Sequence, residues 1–344
     1  MGGEALSTES GVNINVSRLV TSLVVFRQPS SLRSWFELSV TFLPLMVLLA
    51  IMMFAVGSGY YFTLFLTPLS GMLLLRMFII QHDCGHGAFM PGKKRNEWIG
   101  RAIGVLTLTP YDCWRRSHEL HHAGTGNLDA RGFGDVDTLT VREFQSLSPI
   151  KRFGYRLYRH PLTILGFGPA YLFLVRHRLP IGLMRAGSLY WISAMATNAV
   201  TGMLLAALVW QFGLAATILV FLPTLLVAAT TGVWLFYIQH QFEETHWSDE
   251  EDWQVHDAAL HGSSHYVLPK PLQWISANIG IHHVHHLYSR IPFYRLPEVI
   301  RDHKPLADAN RMTLRDSLAC PRLNLWDEDQ QKLLSFKQAH TKDG

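Results

Sequence analysis

The chain has 344 residues, of which 49% are hydrophobic and only 16% are charged, and its mean hydropathy is positive at +0.13. So few charges in so apolar a chain favour a membrane protein over an ordinary soluble domain. The net charge of +4 is mild and requires no nucleic-acid partner. The three cysteines, Cys84, Cys113 and Cys320, fit neither a disulfide framework nor a paired zinc spacing.

Two long stretches of the chain carry almost no charge. The first lies between Glu37 and Arg76, and the second runs from position 186 to position 242 with His240 as its single basic residue. As one helix the second stretch would be about 85 Å long, whereas the hydrocarbon core of a bilayer is about 30 Å thick. Each stretch must therefore fold back on itself. The turns are predicted at Gly57-Ser58-Gly59 and Gln211-Phe212-Gly213.

These turns predict an all-α membrane protein with four transmembrane helices arranged in two hairpins. The four spans are expected near residues 38–56, 60–80, 188–210 and 215–239. Two further apolar pieces, 102–110 and 162–175, are too short to cross a bilayer. They are predicted to be interfacial or re-entrant helices.

The basic residues predict the orientation of the hairpins. Neither hairpin turn contains Lys or Arg, whereas the segment between the hairpins contains fifteen. The positive-inside bias therefore places that segment and both termini in the cytoplasm. Residues 1–35 form the cytoplasmic N-terminal segment, whose polar opening lacks the features of a cleavable signal, and residues 304–344 form a cytoplasmic C-terminal tail. Short loops favour a bacterial inner membrane.

The histidines are clustered at the ends of the predicted spans. His82 and His86 follow the second span at a spacing of four, which places both rings on one helical face. Two copies of an H-x-x-H-H motif follow, and each motif can direct its three rings from one helical turn. These motifs supply His118, His121, His122, His282, His285 and His286. His240 ends the fourth span and is the ninth candidate, although an interfacial anchor is the alternative reading.

So many imidazoles predict two metal ions. Imidazole suits iron, copper, zinc and nickel, whereas magnesium and calcium prefer oxygen ligands. One catalytic zinc needs only three protein ligands, so eight or nine histidines without a matching set of cysteines exceed a single site. The Glu-x-x-His pairs of soluble di-iron bundles are missing. Iron is favoured because redox chemistry accounts for a large site beside lipid, but copper and zinc remain open.

The clusters and their surroundings resemble the membrane fatty acid desaturase family, in its acyl-lipid branch, over roughly residues 40–300. The resembling segments are His82-Asp83-Cys84-Gly85-His86, His118-Glu119-Leu120-His121-His122, His282-His283-Val284-His285-His286, Gly126-Asn127-Leu128-Asp129, Gly134-Asp135-Val136-Asp137-Thr138-Leu139-Thr140, Tyr237-Ile238-Gln239-His240-Gln241-Phe242-Glu243, Gly262-Ser263-Ser264 and Asn278-Ile279-Gly280. The resemblance implies a membrane desaturase domain over residues 36–303. It also implies that two iron ions are ligated by His82, His86, His118, His121, His122, His240, His282, His285 and His286.

The same resemblance implies the reaction and its partners. A long acyl chain, carried by a membrane lipid or as a thioester, would receive a cis double bond at the expense of dioxygen and two electrons. The electrons would come from a separate donor of the ferredoxin or cytochrome b5 type. Some family members use an asparagine, through water, four positions before the last span's histidine. Phe236 occupies that position here, and Asn278, four residues before His282, is the nearest candidate.

Several acidic and aromatic residues are candidates for supporting roles. Asp83 could orient a ligand ring by accepting its second N–H. The same role is open to Glu119, Asp129, Asp135 and Asp137, which could equally be solvated carboxylates or helix caps. Trp114, Trp234 and Trp274 are candidates for the wall of an acyl tunnel or for ordinary interfacial tryptophans.

The remaining histidines are predicted to lie outside the metal site. The ring of His283 should point away from the face shared by its motif. A polar loop carries His246, His256, His261 and His265, which are expected to be solvated, with the roles of His261 and His265 left open. Surface positions are expected for His160, His177, His303 and His340.

Two other functions compete with desaturation. A membrane hydroxylase acting on alkyl, acyl or carotenoid chains would share the ligand set and differ only in its product. A metal transporter would need ionisable residues inside the spans, where ions must cross, and the predicted spans have almost none.

Overall fold

The computed structural model describes residues 5–7, 13–132 and 134–340 of the chain, which are mostly helical. Within these residues, three helical stretches are long and apolar enough to cross a membrane. They are Ser31–Gly57 (α2), Tyr61–Gly85 and Ser188–His240 (α9). The second stretch begins with a 3-10 turn, Tyr61–Leu66, and continues as Thr67–Gly85 (α3). A short helix, Val16–Leu23 (α1), precedes them.

Gly213 divides α9 into two helical arms. Its φ of 84° and ψ of 160° are not helical, and a positive φ is a conformation that glycine adopts without steric cost. The predicted spans 188–210 and 215–239 correspond to the two arms. The structure confirms a helical protein of membrane type, and the arrangement in two hairpins remains a prediction.

Close packing of α3 against α9 determines where these helices end relative to each other. A Cβ added at Gly71 would lie 2.5 Å from the Cβ of Val227, so only glycine permits this approach. Beside it the hydroxyls of Ser70 and Thr224 are 3.0 Å apart and hydrogen-bonded, as polar groups between membrane helices usually are. The contact holds the histidine-bearing ends of both helices at the same level.

A buried ion pair joins the first two membrane helices to the segment before the third histidine cluster. Arg76 and Glu37 are both 1% exposed and their side chains are paired. The Arg76 guanidinium also donates to Thr41 Oγ1 and to the carbonyl of Trp274, whose ring it covers at 4.1 Å. A charge this deep in a membrane protein is expected to be paired. Here the pairing fixes the chain around Trp274 onto the membrane helices.

Between the membrane helices lie six shorter helical segments. They are Lys93–Leu106 (α4), Tyr111–Gly124 (α5), Val141–Ser146 (α6), Pro149–Tyr158 (α7), the π-helical turn Leu162–Phe167 and Gly168–Leu174 (α8), followed by a 3-10 turn, Arg176–Arg178. Gln81 bonds to the Thr107 hydroxyl and to the Thr109 carbonyl in the α4–α5 loop. The Tyr111 hydroxyl donates to the carbonyl of Cys84. These bonds orient α5 against the end of α3.

The chain after α9 folds into short helices and strands that pack onto the same core. The helices are Val255–His261 (α10), Lys270–Ile275 (α11), His282–Leu287 (α12), Leu296–Asp302 (α13), Lys304–Asp308 (α14), Leu314–Ser317 (α15) and Phe336–His340 (α16), with 3-10 turns at Phe293–Arg295 and Cys320–Arg322.

The strands are few and short. They are Ala5–Ser7 (β1), Asn13–Asn15 (β2), Leu139–Thr140 (β3), His265–Tyr266 (β4), Arg311–Met312 (β5), Leu325–Asp327 (β6) and Lys332–Leu334 (β7). β6 pairs in parallel with β3 and antiparallel with β7, and β5 pairs in parallel with β4. Leu306 and Trp326 are fully buried, so residues 304–340 are packed in part against the rest of the protein despite their polar composition.

Candidate metal centre

Four helices bring nine histidines to one place. α3 ends with His82 and its C-cap His86, and α9 ends with His240. The other six rings come from α5 and from α12, which carry the two H-x-x-H-H motifs. All nine predicted ligands are therefore close together in the structure, although they span about two hundred positions of the sequence.

Five of these rings form one group, and their nitrogens lie within 4.8 Å of one another. The members are His82, His86, His118, His122 and His285. His118 Nε2 is central, at 2.9 Å from His82 Nε2 and 3.0 Å from both His86 Nε2 and His122 Nε2. Metal ligands at right angles, each about 2.1 Å from the ion, would be separated by about 3.0 Å, against roughly 3.4 Å in a tetrahedral site. The observed spacing is therefore in the range expected for rings that share one metal ion.

The other four rings form a second group beside the first. His240 Nε2 lies 3.2 Å from His121 Nε2 and 3.1 Å from His286 Nε2. His282 Nε2 is in turn 3.1 Å from His286 Nε2. His240 Nδ1 lies 3.0 Å from the carbonyl oxygen of Phe236, which can only accept, so Nδ1 carries the proton and Nε2 presents its lone pair to the group.

A cation fits both groups better than hydrogen bonds do. His118 Nε2 has three ring nitrogens at hydrogen-bond distance, yet it can hold only one proton. The Nδ1 atoms of His82, His121, His282 and His285 are buried and make no hydrogen bond to any of the described residues. A metal ion shared by the Nε2 lone pairs would satisfy each group in a way that no pattern of protons does. The donor set, all imidazole, suits iron, zinc or copper.

Burial keeps the rings outside the membrane stretches neutral. Desolvation, and after it the proximity of other imidazoles, lowers the pKa of these rings well below the ordinary histidine value. The residues concerned are His86, His118, His121, His122, His282, His285 and His286. A neutral imidazole is the form that binds metal, so the site is prepared for a cation at neutral pH.

Two carboxylates approach the outer nitrogens of the rings, one in each group. Asp83 Oδ1 lies 3.5 Å from His82 Nδ1, and its Oδ2 accepts the backbone N–H of Phe293. Asp135 Oδ2 lies 3.9 Å from His121 Nδ1, and burial raises the pKa of its carboxyl group. Of the five acidic candidates, these two lie beside a ring of the groups.

The other three acidic candidates have different partners. Glu119 pairs with Arg115 and Arg116. Asp129 accepts the backbone N–H of Glu250, and the backbone carbonyl of Asp137 accepts from Arg159.

Asn278 and Phe236, the two positions considered for an amide ligand, have different surroundings. The Asn278 amide donates to the carbonyl of Phe293 at 3.0 Å, and none of its hydrogen bonds in the structure goes to a histidine. Its role as a water-linked ligand stays a prediction. The Phe236 ring packs against His121 and His240, with ring centroids 5.0 and 4.9 Å apart, so the second group has an apolar neighbour there.

The histidines predicted to lie outside the site are outside both groups, but some are more buried than expected. His283 Nε2 lies 2.8 Å from the carbonyl of Leu306, in agreement with the expected direction of its ring. The expectation that His265 is solvated is wrong, because β4 places it against the chain around Ala307, whose carbonyl lies 3.0 Å from its Nδ1. His177 is partly buried rather than a surface residue, since it lines a cavity. His246 and His261 face Asp257 at 3.7 Å.

An apolar cavity of about 320 Å³ opens beside the metal groups. It touches His82 and His118 of the first group and His282 of the second. Its wall is built mainly from α3, the segment 172–183 and the second arm of α9, with Trp114 and Phe236 near the histidines. Of the three tryptophans considered for a tunnel wall, Trp114 lines this cavity, whereas Trp234 and Trp274 lie outside its lining.

The small residues of this wall are not among the positions predicted from the sequence. Ala228, Ala229 and Gly232 recur on one face of α9 at helical spacing and leave room inside an otherwise bulky helix. This pattern is readable in the sequence, but it is equally typical of close helix packing.

Comparison with known proteins agrees with this site. The family model for fatty acid desaturases matches residues 58–317. A fatty acid desaturase of Bacillus subtilis is 39% identical over 331 residues, which cover 96% of this chain and 93% of the relative. An sn-1 acyl-lipid omega-3 desaturase (ferredoxin) of Synechocystis sp. is 30% identical, over 72% of this chain and 69% of the relative. An sn-1 oleoyl-lipid 12-desaturase of the same organism is 25% identical, over 70% of each chain.

The matched region contains all nine histidines of the two groups and most of the cavity wall. The extent of the family match and the nearly full-length similarity to the Bacillus subtilis protein leave one assignment. The chain belongs to the fatty acid desaturase family and is an oxidoreductase that desaturates fatty acyl chains.

Proposed function

We propose that this protein is a multi-pass membrane desaturase that introduces a cis double bond into the acyl chain of a membrane lipid at a site holding two irons. The observation that carries the proposal is the convergence of nine histidines, in groups of five and four, beside an apolar cavity. The similarity to acyl-lipid desaturases supports a lipid-linked substrate.

Each histidine group would hold one iron. His82, His86, His118, His122 and His285 would ligate the first, and His121, His240, His282 and His286 the second. The two irons, when bound, would supply the activation of dioxygen and the oxidising power needed to break unactivated C–H bonds. Asp83 and Asp135 would hold His82 and His121 in the orientation that presents Nε2 to the metal.

The cavity supplies the positioning that this reaction requires. An acyl chain has no polar group near the reacting carbons, so the protein must select two adjacent methylenes by holding the whole chain. Trp114 and Phe236 line the cavity beside the histidines, and the apolar wall would keep water from the reacting bond. The overall reaction removes one hydrogen from each methylene and, with two electrons and two protons from outside, reduces dioxygen to two waters.

The electrons would come from a separate redox protein. A ferredoxin is named for the Synechocystis relative, and we infer a donor of the ferredoxin or cytochrome b5 type here. His86, His118 and His122 of the first group are only partly buried, which supports electron entry on that side.

The proposed membrane arrangement has four spans in two hairpins, with the histidines and both termini in the cytoplasm of a bacterial inner membrane. Contact between the two predicted hairpin turns supports this arrangement. The Phe212 ring lies 3.5 Å from the position of a Cβ on Gly57 and packs edge-on against Phe54 at 4.9 Å. Labelling tests it, since cysteines replacing the exposed Ser58 and Gln211 should react with an impermeant thiol reagent from outside. A cysteine at Arg142 should not, and the opposite pattern would overturn the orientation.

Product analysis tests the reaction. Proteoliposomes with the iron-loaded protein, a reductant, a ferredoxin and oxygen should convert saturated acyl chains into products lighter by two hydrogens. The His121→Ala variant is the control and should form none. Hydroxylated products alone would replace the desaturase proposal by the hydroxylase alternative. Iron analysis should give close to two irons per chain, and a single tightly held zinc would contradict the site.

A further inference from the structure

The cavity has one closed end and one open end. Leu75 and Leu225 line it between α3 and α9 and are 1% and 2% exposed. Leu179 and Ile181, which line it after the Arg176–Arg178 turn, are 44% and 40% exposed. The gradient of burial identifies the mouth of the cavity, and Arg176 lies in its lining at that mouth.

We propose that Arg176 is a binding residue for the phosphate of a membrane phospholipid whose acyl chain enters the cavity from the side. This inference rests on the proposed function and names the headgroup contact of the same substrate. Guanidinium groups bind phosphate oxygens through paired N–H donors and are weakly hydrated, which suits the boundary between lipid and water.

Arg176 is free to bind an anion, whereas its neighbour is not. Within the described part of the chain the Arg176 guanidinium has no hydrogen-bond or ion-pair partner. Arg178, two residues on, donates to Asn198 Oδ1 at 2.8 Å and to the Leu108 carbonyl, so it holds the α4–α5 loop instead. The two arginines of the turn therefore have different tasks, and only the one at the cavity is unpaired.

The segment of the chain that carries Arg176 is unusually positive. Between Glu143 and Glu243 the sequence contains no Asp or Glu, although it contains seven Lys and Arg. A basic segment without acidic residues attracts anionic headgroups and offers Arg176 no competing carboxylate of its own.

The segments before and after Arg176 also expose many apolar side chains. α7 exposes Ile150 and Phe153, at 83% and 69%, on one face, with basic residues beside them. The apolar exposure continues through Leu162 and Phe167 to Leu189 at the start of α9. Such a surface lies in the plane of the membrane interface. A lipid could pass its acyl chain into the cavity while its phosphate stays at the level of Arg176, whereas a soluble thioester would have to cross this apolar ridge.

Kinetics in proteoliposomes test the site. Arg176→Gln should raise KM for phosphatidylglycerol about ten- to hundredfold, the usual worth of a charged hydrogen bond, with little change in kcat. The same variant should change KM for a neutral diacylglycerol with identical acyl chains less than about twofold. Arg176→Lys should restore part of the loss. The matched control is Arg185→Gln, because Arg185 is an exposed arginine of the same loop that does not line the cavity.

Binding separates this inference from the proposed function. Energy transfer from protein tryptophans to a pyrene-acyl phosphatidylglycerol should weaken in Arg176→Gln and persist in Arg185→Gln, whether or not the protein turns over. An equal loss of energy transfer in both variants would show an effect of general surface charge and would contradict a phosphate site at Arg176. Equal losses for phosphatidylglycerol and diacylglycerol would also overturn it. Efficient turnover of acyl-coenzyme A with the same dependence on Arg176 would assign the phosphate to a soluble carrier and refute the membrane lipid.

Discussion

The two H-x-x-H-H motifs divide their rings between the group of five histidines and the group of four, and they do so in opposite ways. In α5, the outer histidines His118 and His122 join the group of five, and His121 joins the group of four. In α12, His282 and His286 join the group of four, and His285 joins the group of five. Each H-x-x-H-H motif thus supplies rings to both groups, and the group that receives two rings from α5 receives one from α12.

Helix geometry accounts for the division. Residues four apart are separated by about 40° around the helix axis, whereas the residue three along lies about 60° to the other side. The outer rings of the motif therefore point together and the third diverges. The two helices meet at His122 and His286, whose rings stack at 4.0 Å, so the diverging ring of each helix reaches the group that the other helix mainly supplies.

Removing a single ligand should have the largest effect and should distinguish the two groups. His285→Ala and His286→Ala change adjacent residues of α12, yet they remove a ligand from different groups. Each should abolish desaturation, and the Mössbauer spectra should show loss of a different iron environment. His283→Ala is the matched control from the same helix, since its ring contacts Leu306 and not the groups. Loss of the same iron in both ligand variants would contradict the division.

Loosening the support of α12 should affect both groups together. Replacing Arg76 by Gln leaves the buried Glu37 carboxylate with only the half-exposed Arg33 as its partner and frees the chain around Trp274. Losing one partner of a buried ion pair typically costs about 3–5 kcal/mol. Thermal unfolding in detergent should therefore occur at a clearly lower temperature, and iron should be lost from both groups in equal proportion. Arg33→Gln removes the exposed partner of the same Glu37 and should be much milder.

Replacing the carboxylates behind the rings should also affect one group at a time, with a smaller loss of metal affinity or activity. Asp83→Asn should lower the affinity of the group of five for iron, and Asp135→Asn should lower that of the group of four. Loss of such a partner usually costs about 10- to 100-fold in metal affinity or activity. Competition with a chelator measures the affinity of each site. Glu119→Gln, next to His118 but paired with arginines, should leave both affinities unchanged, and an equal loss there would point to general electrostatics.

The smallest effect should come from a substitution in the wall of the apolar cavity, which lies beside both groups. A Cβ at Gly232 meets only Leu75, at 3.4 Å, so the larger side chain of Gly232→Val should fill the closed end of the cavity. We expect the ratio of kcat/KM to shift about tenfold in favour of palmitoyl over stearoyl chains, the usual worth of a few methylene contacts. Gly202→Val, on the same helix with open space around it, is the control. An unchanged ratio would place the chain end elsewhere.

Local patterns of the sequence determined the type of protein and the set of candidate ligands. Charge-free stretches identify membrane helices because burying a charge in lipid is costly wherever it occurs in the chain. The spacing of His82 and His86, and of the two H-x-x-H-H motifs, indicates which rings leave one helical turn together. The similarity of these motifs to a known family then indicated the metal and the reaction.

The tertiary structure decided what lies opposite each of these residues. Whether His121 or His122 joins His240 depends on how α5 and α9 pack, and no spacing within either helix contains that information. For the same reason Asp83 and Asp135 lie behind ligand rings, while Glu119, which directly follows His118 in the sequence, pairs with arginines. Arg176 and Arg178 are alike as sequence, and only the packing of their turn leaves one bound to the α4–α5 loop and the other at the cavity. Local spacing fixes the direction in which a side chain leaves its helix, whereas its partner is fixed by contacts between segments far apart in the chain.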